Sequence, residues 1–293
     1  MPPTDLLRVR DLVPDFLACA QLRRAAPPQL WSSRYLAGHP DVVRALRRDG
    51  LWSEPAEVAA VLDGLRDRAA DLAVRAETVR ASLPDGVAAV ADELGWSGEG
   101  GPVECVVLVG LNAANGWAAE LNSGYALFLA VEQLGPSEDL DMLIRHEAAH
   151  VVHDRRAGIR DWPEHGVANA LFTEGLATQV TAELDGGRPD EAYLWFGRPG
   201  QRPWLDECRR RWPEILRRIR ADLDATDPEH HAPYFLMRDS PLGDLPKRCG
   251  YLVGLAAVRK LRQRHHLPEL TAWPLPRVRA AMAAVSADLP APG

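Results

Sequence analysis

The pentapeptide His146-Glu147-Ala148-Ala149-His150, inside the stretch 140–156, restricts this chain more than any other feature. Residues four apart on an α-helix share a face, with about 5–6 Å between their β-carbons. Two imidazoles placed that way can grip one zinc ion at roughly 2.0–2.1 Å each. Glu147 is turned too far round the helix to join the grip, but it can reach a water activated there and act as general base. The flanks suit a helix. Pro136 and Ser137 precede Glu138, Asp139 and Asp141, acids in the first turn where the dipole favours them. Apolar Leu140, Leu143 and Ile144 lead into the histidines, Arg155 and Arg156 fall near the end, and Gly158 is the expected stop.

A catalytic zinc takes three protein ligands and keeps one position open. The best third candidate is Glu174, in Phe172-Thr173-Glu174-Gly175-Leu176-Ala177, 24 residues beyond His150. That interval accommodates a loop over 158–166 and the first part of a second helix over 167–184, ended by Asp185-Gly186-Gly187. Two antiparallel helices would present two histidines and one glutamate to a common point. Glycine inside a helix costs about 1 kcal/mol relative to alanine, so Gly175 implies a packing demand. A missing side chain beside the ligand would let the second helix approach the first. His165 is an alternative third ligand. His153 lies one turn beyond His150 on the ligand face and is expected beside the ligands rather than among them.

H-E-x-x-H followed by E-G-x-A on the next helix resembles the gluzincin group of zinc metallopeptidases. The later segment Gly250-Tyr251-Leu252-Val253-Gly254 sharpens the likeness. An E-G-L-A helix followed by G-Y-x-x-G is similar to a bacterial family described only as predicted zinc-dependent proteases of unknown function. Trp31-Ser32-Ser33-Arg34-Tyr35-Leu36, with His39-Pro40, resembles the N-terminal region of that family. The likeness covers about 103–261. The metzincin pattern, which continues with a glycine and a third histidine, is excluded, because His153 and Arg156 stand at those places.

The resemblance implies a zincin-like catalytic core with a small β-sheet followed by two active-site helices, in an α+β and mostly helical chain. It implies Zn2+ held by His146, His150 and Glu174, Glu147 as general base, and Tyr251 as a donor to the tetrahedral oxyanion. It also implies that the strand before the zinc helix, over 124–128, is a sheet edge along which a peptide lies. Tyr234, His230 and His231 are reserve candidates for the donor, and exposed loop positions otherwise. One position departs from the pattern. Thermolysin-like relatives carry an aspartate four residues beyond the glutamate ligand, orienting a ligand histidine; Thr178 stands there instead, so that support comes from Thr178 or from elsewhere.

With 293 residues the chain can bury a large core, as one domain or two smaller ones. We expect a helical N-terminal subdomain over 1–97 and a catalytic domain with a helical C-terminal part over 98–293. In the first, 41–48 and 55–83 read as helices, the latter with Val58, Val61, Leu62, Leu65, Ala69, Leu72 and Val74 near helical period. Pro84-Asp85-Gly86 reads as a break before a further helix over 87–94. Residues 103–111 and 124–132 read as strands, separated by a loop over 112–123 that holds Asn115-Gly116 and Trp117, a possible pocket wall. Beyond the second helix we expect an Arg-rich amphipathic helix over 205–223, a Pro- and His-containing connection over 227–245, and helices over 250–262 and 278–285.

The net charge of −7 gives no reason to expect nucleic acid as partner. Cys19, Cys105, Cys208 and Cys249 lie far apart with no C-x-x-C, which suits free thiols in a reducing cytosol. The first residues lack the pattern of a signal peptide, and no apolar run is long enough to span a membrane, so a cytoplasmic protein without a membrane partner is expected. Only Lys247 and Lys260 are lysines among 34 basic residues, a composition that suggests a GC-rich bacterial genome. The expected function is a zinc-dependent peptidase acting on a peptide or protein. The alternatives are a zinc hydrolase of a non-peptide amide or small molecule, and a catalytically silent binding module. Substrate sequence and oligomeric state are not legible.

Overall fold

Two short runs, Val103–Leu108 (β2) and Gly124–Ala130 (β4), are buried along almost their whole length, as central strands covered on both faces must be. A computed structural model places them side by side. It describes residues 6–21, 35–48, 64–65, 67–110, 114–122, 124–135, 139–159, 165–237 and 243–292. Leu7–Asp11 (β1) lies parallel to β2, and β2 lies parallel to β4. Gly116–Leu121 (β3) closes the sheet antiparallel to β4, giving the order β1-β2-β4-β3.

Three expectations are corrected here. The N-terminal region is not wholly helical, because β1 belongs to the sheet. Part of the expected loop over 112–123 is β3, whose Trp117 pairs with Phe128 and stacks on it at 5.2 Å between centroids, 6° between planes. Most importantly, β4 is not a sheet edge. Both of its sides are occupied, by β2 and β3, so its backbone is already paired and 124–128 cannot serve as a peptide rail.

Among the described residues, helices of the same part include Val13–Gln21 (α1), Pro40–Arg48 (α2) and Ala69–Leu94 (α3). α3 runs straight through Pro84, where a break is expected from sequence. Its buried stripe explains this: Leu72, Ala76, Val79, Leu83, Val87, Val90 and Leu94 are each at most 3% exposed, at helical spacing on both sides of the proline. Gly86 is required by packing, since a β-carbon there would stand 2.6 Å from Cγ2 of Ile144. Val74, by contrast, is 63% exposed and does not belong to the apolar face. The stretch 55–63, and residues 31–34 of the N-terminal likeness, lie outside the described residues.

Residues cluster into two compact units, one of 1–88 with 101–151 and one of 89–100 with 152–293. The first holds the sheet, α1, α2 and α3 up to Ala88. Leu140–Ala157 (α4) supplies residues to both. The second is helical and is built on Gly166–Leu184 (α5), which is buried nearly all round. Against α5 runs Cys249–Arg262 (α10). Gly254 meets Leu171 and Gly175, Arg259 reaches Gln179, and Arg262 reaches Glu183, so the two helices are parallel. This also corrects the role of Gly175. The nearest atoms to a β-carbon there belong to Gly254 of α10, not to α4.

The remaining helices are Asp190–Leu194 (α6), Arg202–Arg210 (α7), Trp212–Ala221 (α8), Pro228–Phe235 (α9), Leu267–Thr271 (α11) and Leu275–Ser286 (α12). The expected Arg-rich helix over 205–223 is therefore two helices, divided at Arg211 with Pro213 opening the second. The expected connection over 227–245 contains α9. Asp227 caps it by accepting from the amides of Glu229 and His230, and Pro228 supplies its first residue. No disulfide joins the four cysteines among the described residues, and burial pushes the Cys208 thiol up to about 12. Among the described residues no helix is long and apolar enough to cross a membrane.

Candidate metal centre

α4 forms where the sequence places it. Asp139 accepts a hydrogen bond from the amide of Met142 at 3.2 Å, an N-terminal cap. Asp141 stands in the first turn and Arg155 and Arg156 in the last. Gly158 ends the helix in the left-handed region at φ 63°, its amide bonding to the carbonyl of Asp154. Residues 136–138, expected to lead into the helix, lie outside the described residues.

One turn apart on α4, His146 and His150 face the same way. Their Nε2 atoms are 3.2 Å apart, and their rings meet edge to face at 4.9 Å. Both are almost fully buried, as is Glu147 between them. Glu174 projects from α5. One ligand atom from each of His146, His150 and Glu174 can be chosen so that all lie within 4.8 Å of one another. His165 and His153 are not members of this group. His165 is the residue before α5, and His153 packs its ring 5.6 Å from that of Phe172.

The donor set fits zinc. Two nitrogens bound at roughly 2.0–2.1 Å in a tetrahedral arrangement stand about 3.3–3.4 Å apart, close to the separation found here. Two imidazoles and one carboxylate also match the three-ligand, one-open-position set of catalytic zinc sites. Thr178, one turn beyond Glu174, is fully buried, yet its hydroxyl makes no hydrogen bond among the described residues. It does not supply the support expected of an aspartate at that place.

Tyr251 sits in the first turn of α10. Its ring carries the Arg248 guanidinium at 3.9 Å from the centroid and meets the Phe235 ring at 6.0 Å. The two glycines of the G-Y-x-x-G segment have separate packing duties. A β-carbon on Gly250 would stand 2.7–2.9 Å from atoms of Tyr234 and Phe235 in α9, and one on Gly254 would stand 2.3 Å from the carbonyl oxygen of Leu171 in α5. Tyr251 is thereby fixed between α9 and the chain entering α10.

The reserve candidates are not exposed loop residues. Tyr234 and His231 are buried on α9. Tyr234 donates its hydroxyl proton to the carboxylate of Asp222, and burial together with that carboxylate raises its pKa. His231 stacks on Phe235 at 4.7 Å. His230, part-buried, bonds through Nδ1 to Asp227, which raises its pKa. The residues that sequence reasoning missed here are Arg248, which lies over the Tyr251 ring, and Trp195 and Phe196, whose rings also face the Arg248 guanidinium. The one signal in the sequence was Gly197 after an aromatic pair, a mark of a left-handed turn.

Compared with protein-family models, with curated proteins and with solved structures, the chain matches none.

Proposed function

We propose that this chain is a zinc-dependent hydrolase of peptide bonds. The observation that carries the reading is the approach of ligand atoms of His146, His150 and Glu174 to within 4.8 Å, with Glu147 next to the first histidine. Zinc, held by these three side chains, would lower the pKa of a bound water and polarise the scissile carbonyl. Glu147 takes the proton of the attacking water and delivers it to the departing amine. Tyr251 donates from its phenol to the oxygen that gains negative charge at the tetrahedral stage.

With β4 interior, the strand left to pair with an extended peptide is β3, the edge beside it. The same correction favours a second reading, hydrolysis of a non-peptide amide, should β3 prove unable to take a substrate strand.

The deciding experiment incubates zinc-loaded protein with an unbiased peptide library, with Glu147→Gln as control, and reads products by mass spectrometry. Cleavage by wild type alone is the expected result. Intact peptides with both proteins, at one zinc per chain, would overturn the peptidase reading in favour of the second.

A further inference from the structure

Arg248 is the residue before α10, and its surroundings differ from those of the other arginines packed on α5 and α10. Arg259 donates two hydrogen bonds to the Asp190 carboxylate, at 2.7 and 2.8 Å, and Arg262 does the same to Glu183. Arg248 has no carboxylate partner among the described residues. Aromatic rings hold it instead: its guanidinium carbon lies 3.9 Å from the Tyr251 ring centroid, 5.0 Å from Trp195 and 5.7 Å from Phe196. Nη2 donates to the carbonyl of Leu194 at 3.1 Å, which fixes the plane of the group. Nη1 makes no hydrogen bond within the described residues.

Two residues of this frame are in the left-handed region without being glycine, Phe196 at φ 50° and Arg248 at φ 64°. Such backbone costs free energy that the surrounding structure must offset, and it concentrates where a side chain has to be aimed. Trp204 reinforces the frame, meeting Trp195 edge to face at 5.4 Å and donating from its indole to the carbonyl of Lys247 at 2.8 Å. The result is a cation clamped in orientation, part-exposed, and not neutralised by any described residue. Guanidinium groups in that condition bind planar anions, carboxylates above all, through paired N–H donors.

Its position relates it to the candidate centre. Gly254 is the sixth residue after Arg248, roughly 9 Å along the α10 axis. Gly254 touches Gly175, the neighbour of Glu174. An extended peptide covers that distance in roughly two to three residues.

We propose that Arg248 is the anchor for a carboxylate of the peptide substrate, held in a frame of Tyr251, Trp195 and Phe196, a few residues from the bond that is cut. The proposal rests on the peptidase reading of the centre. A carboxylate at that remove is the free C-terminus of a short peptide, which makes the activity an exopeptidase one; an acidic side chain is the other source of the same chemistry.

The test measures binding without turnover. Zinc-loaded Glu147→Gln protein is titrated calorimetrically with Ac-Ala-Phe-Ala-OH, its C-terminal amide, and Ac-Ala-Glu-Ala-NH2. The free acid is expected to bind at least tenfold more tightly than the amide, and adding Arg248→Gln removes that difference while leaving the amide unchanged. Arg248→Lys, which keeps the charge but loses the fork, recovers only part of it and serves in place of Arg248→Gln if that variant does not fold. A gain confined to the glutamyl peptide supports the anchor but assigns it to side-chain carboxylates. Equal binding of all three peptides, or a difference that survives both substitutions, overturns the proposal. Because none of these readings depends on cleavage, failure of the peptidase reading is seen separately, in the library experiment.

Discussion

Gly175 and Gly254 touch through their backbones: a β-carbon on the first would stand 2.2 Å from the carbonyl oxygen of the second, and one on the second 3.1 Å from the amide nitrogen of the first. The contact joins α5, which carries Glu174, to α10, which carries Tyr251. Alanine at either place gains helix propensity of about 1 kcal/mol but has no room, and the opposing atoms are backbone, which cannot swing aside. Gly175→Ala and Gly254→Ala are each expected to destabilise by about 2–3 kcal/mol net and to lower the melting temperature by several degrees in calorimetry. Gly186→Ala, with open space around its β-carbon, is the control and should be nearly neutral. A wild-type melting temperature in Gly175→Ala would mean that the helices separate without cost.

Glu174→Ala removes the carboxylate from the proposed donor set and leaves two histidines. Elemental analysis is expected to show one zinc per chain in the wild type and little in the variant. Metal bound to the folded state alone also adds stability, about 2.7 kcal/mol at a hundredfold excess over the dissociation constant. Chelation should therefore lower the wild-type melting temperature and leave that of Glu174→Ala unmoved. Unchanged zinc in the variant would remove Glu174 from the set and return His165 to consideration.

The parts of the fold legible in sequence were those whose local signals agreed with their burial. α4 has an acidic start, a basic end and Gly158, and α5 has an apolar run ended by Asp185-Gly186-Gly187; both boundaries were read to within a residue. β4 announced itself by an unbroken apolar run, and β2 by one interrupted only at Glu104. β1 did not, because Leu7-Arg8-Val9-Arg10-Asp11 is short and half polar, as an edge strand is. β3 was hidden by Ala118, Ala119 and Glu120, which favour helix, and its place is set by pairing with β4. With β3 hidden, nothing in the sequence opposed the sheet edge that the resemblance implies for β4. Pro84 misled in the opposite sense: local propensity called for a break, and the buried stripe on both sides overrode it. Gly175 was recognisable as a packing position, but which helix it meets depends on contacts far apart in the chain.

Arg10 of β1 and Asp41 of α2 form a double hydrogen bond, at 2.5 and 3.0 Å, and Arg10 also reaches Nδ1 of His39 at 3.1 Å. Hydrogen bonding from Arg10 holds the Asp41 carboxyl down at about 2, below its ordinary 3.8. A carboxyl whose pKa is depressed by folding stabilises the folded state above its unfolded value and loses that contribution as pH falls through the folded one. Asp41→Asn should therefore cost on the order of 1 kcal/mol at pH 7. The gap between variant and wild type is expected to close between about pH 4 and pH 2. Denaturant titrations across that range provide the check; a gap that stays constant with pH would mean that the charge on Asp41 contributes nothing.

Tyr251→Phe separates chemistry from packing, because the ring alone makes the contacts with Arg248 and Phe235 described above. Removing only the hydroxyl leaves both in place, so the zinc content should stay near wild type. If the phenol donates to the oxygen that becomes negative in the transition state, its loss lowers kcat by roughly 10²–10³, the usual effect of deleting one such donor, with a smaller change in KM. Steady-state kinetics on whichever peptide the library identifies would show this. Wild-type kcat in the variant would take Tyr251 out of the mechanism and leave it the role of a platform under Arg248. The double variant Tyr251→Phe with Arg248→Gln then distinguishes the two roles. Independent contributions from the hydroxyl to kcat and from the guanidinium to KM should add, whereas strong non-additivity would mean that the two side chains act as one unit.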